Sequence, residues 1–297
     1  MTTLRAVAHS LCPPLLWDLA KRMRRRPMRR TIHGVEILFP PSHILPSIVA
    51  NFPRTDTLLP EFLKFLSDER RTKLLVIDVG ANVGDTAALV AARVGADKIR
   101  LICLEADEEY LPFLKENTKN VDAEIICAIV GSSSGVKHVA LKRFKAGTGA
   151  IVASSETATV RALDDLLTDC APDLIKIDTD GYDIEVLRGA VQCLQNRGPH
   201  LFLEYAPHHI RMHLREEPAN IFTFLRGMGY GATIIYDNTG YPICLLDLDS
   251  RILAMIAEYV DAKPAFHADL LVSKNSNLLA RFYECDRKRF AESAQAY

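Results

Sequence analysis

The sequence has no cysteine motif and almost no net charge. Its seven cysteines are an odd number scattered over 297 residues, and none forms a C-x-x-C pair. This pattern disfavours a zinc centre, a redox centre or a disulfide framework, and we expect free thiols in a reducing cytoplasm. A formal net charge of -1 gives no global reason to bind nucleic acid, so we predict no nucleic-acid partner.

The sequence also lacks an uninterrupted apolar run long enough to span a membrane. An apolar stretch over residues 11–19, broken by Pro13 and Pro14, precedes a basic run over residues 21–30. This order is the reverse of a secretory signal peptide. We predict a cytoplasmic protein with a solvated N-terminal arm. The alternative is a peripheral contact of residues 11–30 with anionic lipid or an acidic partner.

The hydrophobic pattern predicts an α/β fold. From Lys73 onward, short β-branched apolar runs alternate with stretches of helical periodicity, which is typical of βαβ units and a largely parallel sheet. Six strands are predicted over 74–79, 99–104, 124–130, 174–177, 201–203 and 269–272, with a hairpin over 232–245. We expect irregular strands and a mobile loop over 136–159.

This pattern divides the chain into three parts. We predict an N-terminal extension over residues 1–72, with the basic arm and cap helices, a main domain over 73–275 and a C-terminal helix over 276–297. The segments 36–53 and 136–159 are expected to shape or cover a pocket, because loops on a rigid scaffold commonly do so.

The most informative segment reads Ile77-Asp78-Val79-Gly80-Ala81-Asn82-Val83-Gly84-Asp85. A predicted buried strand here runs into a glycine turn that opens a helix. Glycine lets the backbone approach a ligand, and a helix N-terminus offers free N–H groups and partial positive charge, so the segment is typical of a nucleotide-like ligand. The spacing Gly80-x-x-x-Gly84 differs from G-x-G-x-x-G, which disfavours an NAD-dependent dehydrogenase.

A carboxylate follows the next predicted strand. Glu105 ends that strand about twenty residues after the glycine turn, where doubly wound folds carry an acidic residue. A carboxylate in this place can accept two hydrogen bonds from the ribose hydroxyls of an adenosine. We therefore predict that Glu105 binds ribose.

Charged residues gather at the end of the strand over 174–177: Lys176, Asp178, Asp180 and Asp183. Ligands of open α/β sheets bind outside the C-terminal ends of strands, so this cluster should face the same crevice as Glu105. Lys176 and Asp178 are two residues apart and share one face of the strand. The cluster fits a general base, a divalent-metal site or contacts to a charged cofactor; the alternative is a helix N-cap.

The next strand ends in Glu204-Tyr205-Ala206-Pro207-His208-His209. Histidine titrates near neutral pH and is the commonest general base, so His208 or His209 could deprotonate an acceptor. At most one of them should face the crevice, because adjacent side chains usually point in different directions. We place His208 among the predicted catalytic residues; the alternative is a surface loop.

Taken together, these segments resemble the FkbM-type methyltransferases. The resemblance is carried by the Asp78 to Asp85 turn, by Glu105, by the run Lys176 to Asp183 with the following Val186-Leu187-x-Gly189-Ala190, and by Glu204. It implies a Rossmann-like class I methyltransferase fold, with a mostly parallel seven-stranded sheet, one antiparallel strand and helices on both faces. A bacterial source would fit.

The resemblance further implies S-adenosylmethionine as the cofactor and direct in-line O-methylation of a hydroxyl on a sugar, glycan or secondary metabolite. The predicted cofactor-binding residues are Asp78, Gly80, Ala81, Asn82, Gly84, Asp85, Glu105, Ala106 and Ala128, and the predicted catalytic residues are Lys176, Asp178, Asp180 and His208. No metal ligand is assigned, although a divalent metal stays open. The family usually has glutamate at the positions of Asp180 and Asp183.

Two other readings stay open. One is an NAD(P)-dependent oxidoreductase, which the turn spacing disfavours but the fold class allows. The other is a non-catalytic module that keeps the cofactor fold and docks on a membrane or partner through its basic arm. A nucleic-acid methyltransferase is a weaker third reading, because the basic residues are confined to one end of the chain.

Overall fold

A computed structural model describes residues 26–41, 43–70, 72–143, 149–263 and 267–294. Most of the predicted basic arm, and with it most of the segment 11–30, lies outside the described residues. Within the part that is described, no helix combines the length and the apolar composition needed to cross a membrane.

Thirteen strands form in the described part of the chain. They are β1 (Met28–Ile32), β2 (Val35–Phe39), β3 (Leu74–Val79), β4 (Ile99–Glu105), β5 (Asp122–Cys127), β6 (Ile129–Val130), β7 (Gly135–Arg143), β8 (Gly149–Arg161), β9 (Leu174–Ile177), β10 (His200–Tyr205), β11 (Ala232–Asp237), β12 (Pro242–Asp247) and β13 (Ala268–Ser273).

Eleven α-helices accompany these strands over the same described residues. They are α1 (Leu45–Asn51), α2 (Leu58–Glu69), α3 (Asp85–Val94), α4 (Leu111–Asn117), α5 (Leu163–Leu166), α6 (Asp183–Arg188), α7 (Val191–Asn196), α8 (Pro207–Leu214), α9 (Asn220–Gly227), α10 (Arg251–Asp261) and α11 (Ser276–Ala294).

The central sheet has the strand order β12-β11-β13-β10-β9-β3-β4-β5. Strands β5, β4, β3, β9 and β10 are parallel, β13 is antiparallel to both of its neighbours, and β12 pairs antiparallel with β11. The predicted fold class is confirmed. The sheet contains eight strands and not the expected seven, and two antiparallel strands, β13 and β12, and not one, because the second arm of the predicted hairpin, β12, extends the sheet beyond β11.

Side chains of the central strands alternate between two apolar layers, as the period of two in a strand requires. In β3, Ile77 and Val79 face one layer, and Leu74 and Val76 face the other. The first layer contains residues of α6, α7, α9 and α10, and the second contains residues of α2, α3, α4 and α11. The predicted helices on both faces are thus confirmed. The polar residues at the C-terminal ends of the strands lie outside the two apolar layers.

The described residues of the segment 136–159 form two strands, and the expected irregularity is present as a register shift between Lys137 and Val139. The mobile loop stays a prediction, because residues 144–148 lie outside the described part. β7 and β8 form a long antiparallel hairpin, which with β6 makes a second, three-stranded sheet. Ile151 and Val160 of β8 are buried in the first apolar layer, which gives the hairpin its hydrophobic anchor. The predicted third strand over 124–130 is likewise divided, since β5 joins the central sheet and β6 joins the smaller one.

Residues 28–69 pack against the main sheet as a β-hairpin and two helices. Ile37 and Phe39 of β2 are fully buried beside Leu89 of α3, and Phe62 of α2 packs edge-on against Phe282 of α11. The terminal helix expected over 276–297 forms over 276–294, and residues 295–297 lie outside the described part. The proposed division into an extension, a domain and a C-terminal helix stays a prediction.

Candidate active site

A cavity of about 300 Å³ opens at the C-terminal ends of the parallel strands. This is where open α/β sheets bind ligands, and the volume falls at the lower end of the range for small-molecule sites. Its wall is built from the turns after β3, β4 and β9, the end of β10 and the start of β13, together with parts of β8 and of the loop before α2.

The turn after β3 approaches the neighbouring strand closely at Gly80. The backbone there has a φ of +81°, and a β-carbon at position 80 would lie 1.9 Å from the carbonyl oxygen of Asp178. Any side chain would push the turn away from β9, so only glycine fits. The N–H groups of Gly80 and Ala81 both donate to the carbonyl oxygen of Leu104. The turn is therefore fixed against β4 as well as β9.

Glu105 ties the same turn to the end of β4. One carboxylate oxygen accepts a hydrogen bond from the N–H of Asn82 at 2.6 Å, and the other accepts from the N–H of Asp107 at 2.7 Å. Glu105 is buried, and burial raises the pKa of its carboxyl group, although these two N–H donors act in the opposite direction. The side chain lines the cavity beside Ala106 and Ala128.

At the cavity wall, the buried Lys176 bridges two carboxylates. Its Nζ lies 3.1 Å from Oδ1 of Asp78, its direct neighbour across the β3–β9 pair, and 3.2 Å from Oδ2 of Asp178. Asp78 and Lys176 are buried, whereas the side chain of Asp178 is 42% exposed and faces the cavity. Burial alone lowers the pKa of Lys176, but Asp178 and Asp78 raise it well above its usual value. The lysine is therefore charged.

Four further carboxyl groups lie near the C-terminal ends of β9 and β10 and the start of β13: those of Asp180, Asp183, Glu204 and Asp269. Burial, reinforced by the charge of Asp178, raises the pKa of Asp180 to about 7 and that of Asp183 to about 8. The same two causes raise the pKa values of Glu204 and Asp269 well above the usual range. The carboxyl groups of Asp180 and Asp183 can therefore hold or release a proton near neutral pH, which is what a general base requires.

Two of the nearby histidines flank this edge. Nδ1 of His209 lies 3.9 Å from Oδ1 of Asp180, and Nε2 of His267 lies 3.8 Å from Oε2 of Glu204. The side chain of His208 is exposed and is not part of the cavity wall. The structure thus brings His209, and not its neighbour His208, next to the acidic cluster.

The loop before α2 completes the wall with Thr55 and Asp56. Burial, with the nearby charge of Asp85, raises the pKa of Asp56 to about 7. Arg54 fixes this loop: its Nε donates to the carbonyl oxygen of Gly240 at 3.2 Å, and its guanidinium lies over the rings of Tyr241 and Phe290. The N-terminal segment is therefore attached to the β11–β12 hairpin across the cavity.

Most of the predicted site residues line the cavity. From the cofactor set these are Gly80, Asn82, Asp85, Glu105, Ala106 and Ala128, and from the catalytic set Lys176, Asp178 and Asp180. Three further residues of the cofactor set, Asp78, Ala81 and Gly84, are buried behind the wall and do not line the cavity. From the segments expected to shape a pocket, the wall includes His43, Ile44, Leu45, Ile48, Leu141, Gly149 and Ile151.

Sequence reasoning missed Asp56, Asn238 and His267, and it gave no role to Asp269. Asp269 carried a usable signal, because the first residues of a final antiparallel strand lie at the same edge as the C-terminal ends of its parallel neighbours. Asp56 carried none, since it lies in a loop that only tertiary packing brings to the cavity.

The chain matches one family model. The model of the methyltransferase FkbM domain matches residues 78–231, just over half of the chain. This span includes the turn after β3, Glu105, the acidic end of β9 and Glu204. No curated protein sequence matches the chain.

Among solved structures, the chain is similar to methyltransferase FkbM from Methylobacillus flagellatus KT, with 19% identity and a TM-score of 0.42 over 63% of this chain and 47% of that one. The chain thus spans less than half the length of that protein. It is also similar to an S-adenosylmethionine-dependent methyltransferase from Agrobacterium tumefaciens, with 11% identity, a TM-score of 0.45 and coverage of 84% and 71%. A third is precorrin-6y C5,15-methyltransferase from Geobacter metallireducens GS-15, with 14% identity, a TM-score of 0.38 and coverage of 72% and 86%.

Replacing Lys176 by Met tests the buried bridge. The variant leaves the charge of Asp78 buried and unpaired, and we expect it to lower the free energy of unfolding by about 3–5 kcal/mol. The double variant Lys176→Met/Asp78→Asn removes both charges and should recover much of that loss. Urea unfolding followed by circular dichroism measures both. A loss in the double variant as large as in the single one would contradict the assignment.

Replacing Asp183 by Asn tests the buried carboxyl group of α6. Its pKa in the folded protein is about 8, so the group stays protonated at pH values where it is ionised in the unfolded chain. The contribution of this group to the free energy of unfolding is therefore complete below about pH 4 and is lost as the pH rises toward 8. Asparagine cannot ionise. The Tm of Asp183→Asn should therefore rise relative to wild type between about pH 5 and pH 8, in buffer with EDTA.

The matched control for this comparison is Asp169→Asn, because Asp169 is exposed. Its Tm difference from wild type should stay constant over the same pH range. A constant difference for Asp183→Asn as well would show that Asp183 is ionised in the folded protein.

Proposed function

The chain belongs to the FkbM methyltransferase family, and on that premise we propose that it transfers a methyl group from S-adenosylmethionine to a hydroxyl oxygen of a sugar, glycan or secondary metabolite. One observation carries this proposal. A single cavity holds both Glu105, which suits a ribose, and the carboxylates of Asp178 and Asp180, which suit an acceptor hydroxyl.

The β3 and β4 side of the cavity fits the cofactor. Glu105 accepts two backbone hydrogen bonds, and a carboxylate has about four acceptor sites, which leaves capacity for the two ribose hydroxyls. Ala106 and Ala128 beside it offer an apolar surface for an adenine ring. The close approach of Gly80 to β9 leaves no side chain between these two halves of the wall. We assign cofactor binding to this part, with Asp78, Ala81 and Gly84 supporting it.

The β9, β10 and β13 side fits a hydroxylated acceptor. Its carboxyl groups accept hydrogen bonds when ionised and donate one when protonated, so they can hold several hydroxyls at once. When bound, S-adenosylmethionine supplies an electrophilic methyl group that an acceptor oxygen takes in line as the carbon–sulfur bond breaks. Lys176 holds Asp178 in place from below. Alignment of this kind supplies a large part of the rate enhancement in bimolecular transfer.

The acceptor proton needs a base near the point of transfer. Asp180 lines the cavity, and burial raises its pKa to about 7, so its carboxylate can take up a proton near neutral pH. His209 lies beside it, at 3.9 Å between Nδ1 and Oδ1. We propose Asp180 as the base, with His209 taking the imidazole role that the sequence had suggested for His208.

Replacing Glu105 by Ala tests the cofactor half. The variant loses the ribose acceptor and the anchor for Asn82, so the affinity for S-adenosylhomocysteine, measured by calorimetry, should fall at least about tenfold, or roughly 1.4 kcal/mol. Glu108→Ala is the control, because Glu108 is exposed in the same loop and should bind like wild type. Equal affinities in wild type and Glu105→Ala, or no binding by folded wild type, would refute this half.

Replacing Asp180 by Asn tests the acceptor half. We expect kcat to fall about a hundredfold or more, as for loss of a general base, while the affinity for S-adenosylhomocysteine stays unchanged. The assay follows a deuterated methyl group from S-adenosylmethionine onto a panel of monosaccharides and phenols by mass spectrometry. His208→Ala should keep activity within about threefold. Undiminished turnover by Asp180→Asn on an acceptor that wild type methylates would remove Asp180 from the mechanism.

A further inference from the structure

We propose that Asp180, Glu204 and His209 bind one divalent cation of the Mg²⁺ or Mn²⁺ type at the acceptor side of the cavity. Each offers one ligand atom, and the two carboxylate oxygens and the imidazole nitrogen all lie within 4.8 Å of one another. Two ligands of one hard divalent ion can stand apart by up to twice the ion–ligand distance, roughly 4–5 Å. The three atoms are thus spaced to share an ion.

The fold builds this constellation from three separate elements. Asp180 lies in the turn after β9, Glu204 near the end of β10 and His209 in the first turn of α8. The contact between Asp180 and His209 depends on Gly181, where a β-carbon would lie 2.5 Å from Cβ of His209. Because no side chain stands at position 181, α8 packs directly on the turn and brings the imidazole to Asp180.

The imidazole nitrogen that faces Asp180 has no hydrogen-bond partner. Nδ1 of His209 has essentially no solvent-exposed surface and makes no hydrogen bond, and its 3.9 Å separation from Oδ1 of Asp180 is too long for one. Oδ1 of Asp183, whose side chain is fully buried in the same group of carboxylates, is also without a partner. Buried polar atoms are rarely left unpaired, and a cation would use the lone pair on Nδ1.

The local charge also favours a cation. Asp178, Asp180, Glu204 and Asp269 all line the cavity. The buried ammonium group of Lys176 forms ion pairs with Asp78 and Asp178, and among the described residues the cationic partners within 4.0 Å of Asp180 and Glu204 are histidines. A divalent ion would supply the missing positive charge, and carboxylate oxygens are the ligands that Mg²⁺ and Mn²⁺ prefer.

A cation here would select the acceptor, an assignment that rests on the proposed function. Three protein ligands would leave further positions of an octahedral ion open, and an acceptor in the cavity could reach the ion because Asp180 and Glu204 line the wall. A hydroxyl oxygen bound to the ion would release its proton more easily, here to the carboxylate of Asp178 on the same cavity wall, because Asp180 would then be a ligand and not the base. A second neighbouring oxygen on the same acceptor could occupy another position. The acceptor class would then be a compound with two adjacent oxygens, such as a vicinal diol or a catechol.

Mn²⁺ binding to the EDTA-treated, dialysed full chain tests the site. Electron paramagnetic resonance measures free Mn²⁺ during a titration with MnCl₂ in the absence of any acceptor, with and without S-adenosylhomocysteine. We expect saturable binding of about one ion per chain, weakened at least about tenfold in Glu204→Gln and in His209→Ala. His208→Ala is the control, because it removes the neighbouring, exposed imidazole and should leave Mn²⁺ affinity unchanged.

Absence of saturable Mn²⁺ binding would overturn the proposal, and so would equal Mn²⁺ affinity in wild type, Glu204→Gln and His209→Ala. Circular dichroism of each variant shows that it is folded. S-adenosylhomocysteine binding without Mn²⁺ binding would refute the cation site and leave the proposed function standing. Mn²⁺ binding that His209→Ala weakens, without any S-adenosylhomocysteine binding, would support the cation site and refute the methyl-transfer proposal.

Discussion

The site depends on one buried ammonium group. Nζ of Lys176 lies 3.1 Å from Oδ1 of Asp78 in β3 and 3.2 Å from Oδ2 of Asp178 at the end of β9. The three charged groups therefore form one network at the C-terminal ends of these strands. A lone charge at this depth would be prohibitively costly, so the lysine and its two carboxylates require one another. The ion pair between Lys176 and Asp78 also joins β3 to β9, two of the strands whose turns build the cavity wall.

Two close backbone approaches follow from this arrangement. Gly80 brings the turn after β3 against the carbonyl of Asp178, and Gly181 brings α8 against the turn after β9. The first approach joins the cofactor side to the acceptor side, and the second places His209 beside Asp180. Both glycines have positive φ angles, +81° and +94°, so a side chain at either position would meet strain as well as a clash.

The same charges set the chemistry of the cavity. Burial, reinforced by the negative charge of Asp178, raises the pKa values of Asp180, Glu204 and Asp269, so these carboxyl groups ionise less readily. This is how a carboxyl group acquires a pKa near neutrality and becomes an effective base. A divalent ion would offset the same negative charge, and Asp180 would then act as a ligand in the loaded site and as the base in the metal-free site.

Local sequence patterns were sufficient for the parts of the site that lie on single strand–turn–helix units. The glycine turn, Glu105 at the end of β4, and the shared face of Lys176 and Asp178 all follow from strand periodicity and from the rule that ligands bind at strand ends. The α/β class followed from the alternation of apolar runs. These features need no knowledge of tertiary packing.

The parts that could not be predicted depend on long-range contacts. Asp56 reaches the cavity because Arg54 is held by Gly240 and by the rings of Tyr241 and Phe290, far away in the chain. Whether His208 or His209 faces the cluster depends on how α8 packs on Gly181. The antiparallel pairing of the strands expected in the segment 136–159 was not predicted, because turn-forming residues obscured it and only the packed core reveals its apolar anchors.

A crystal structure with S-adenosylhomocysteine tests the central claim most directly, namely that one cavity joins a cofactor side to an acceptor side across the Gly80 turn. The account predicts the ribose hydroxyls within hydrogen-bond distance of Glu105, and the sulfur atom facing Asp178 and Asp180. A ligand bound elsewhere, or one whose sulfur faces away from the β9 and β10 edge, would contradict it.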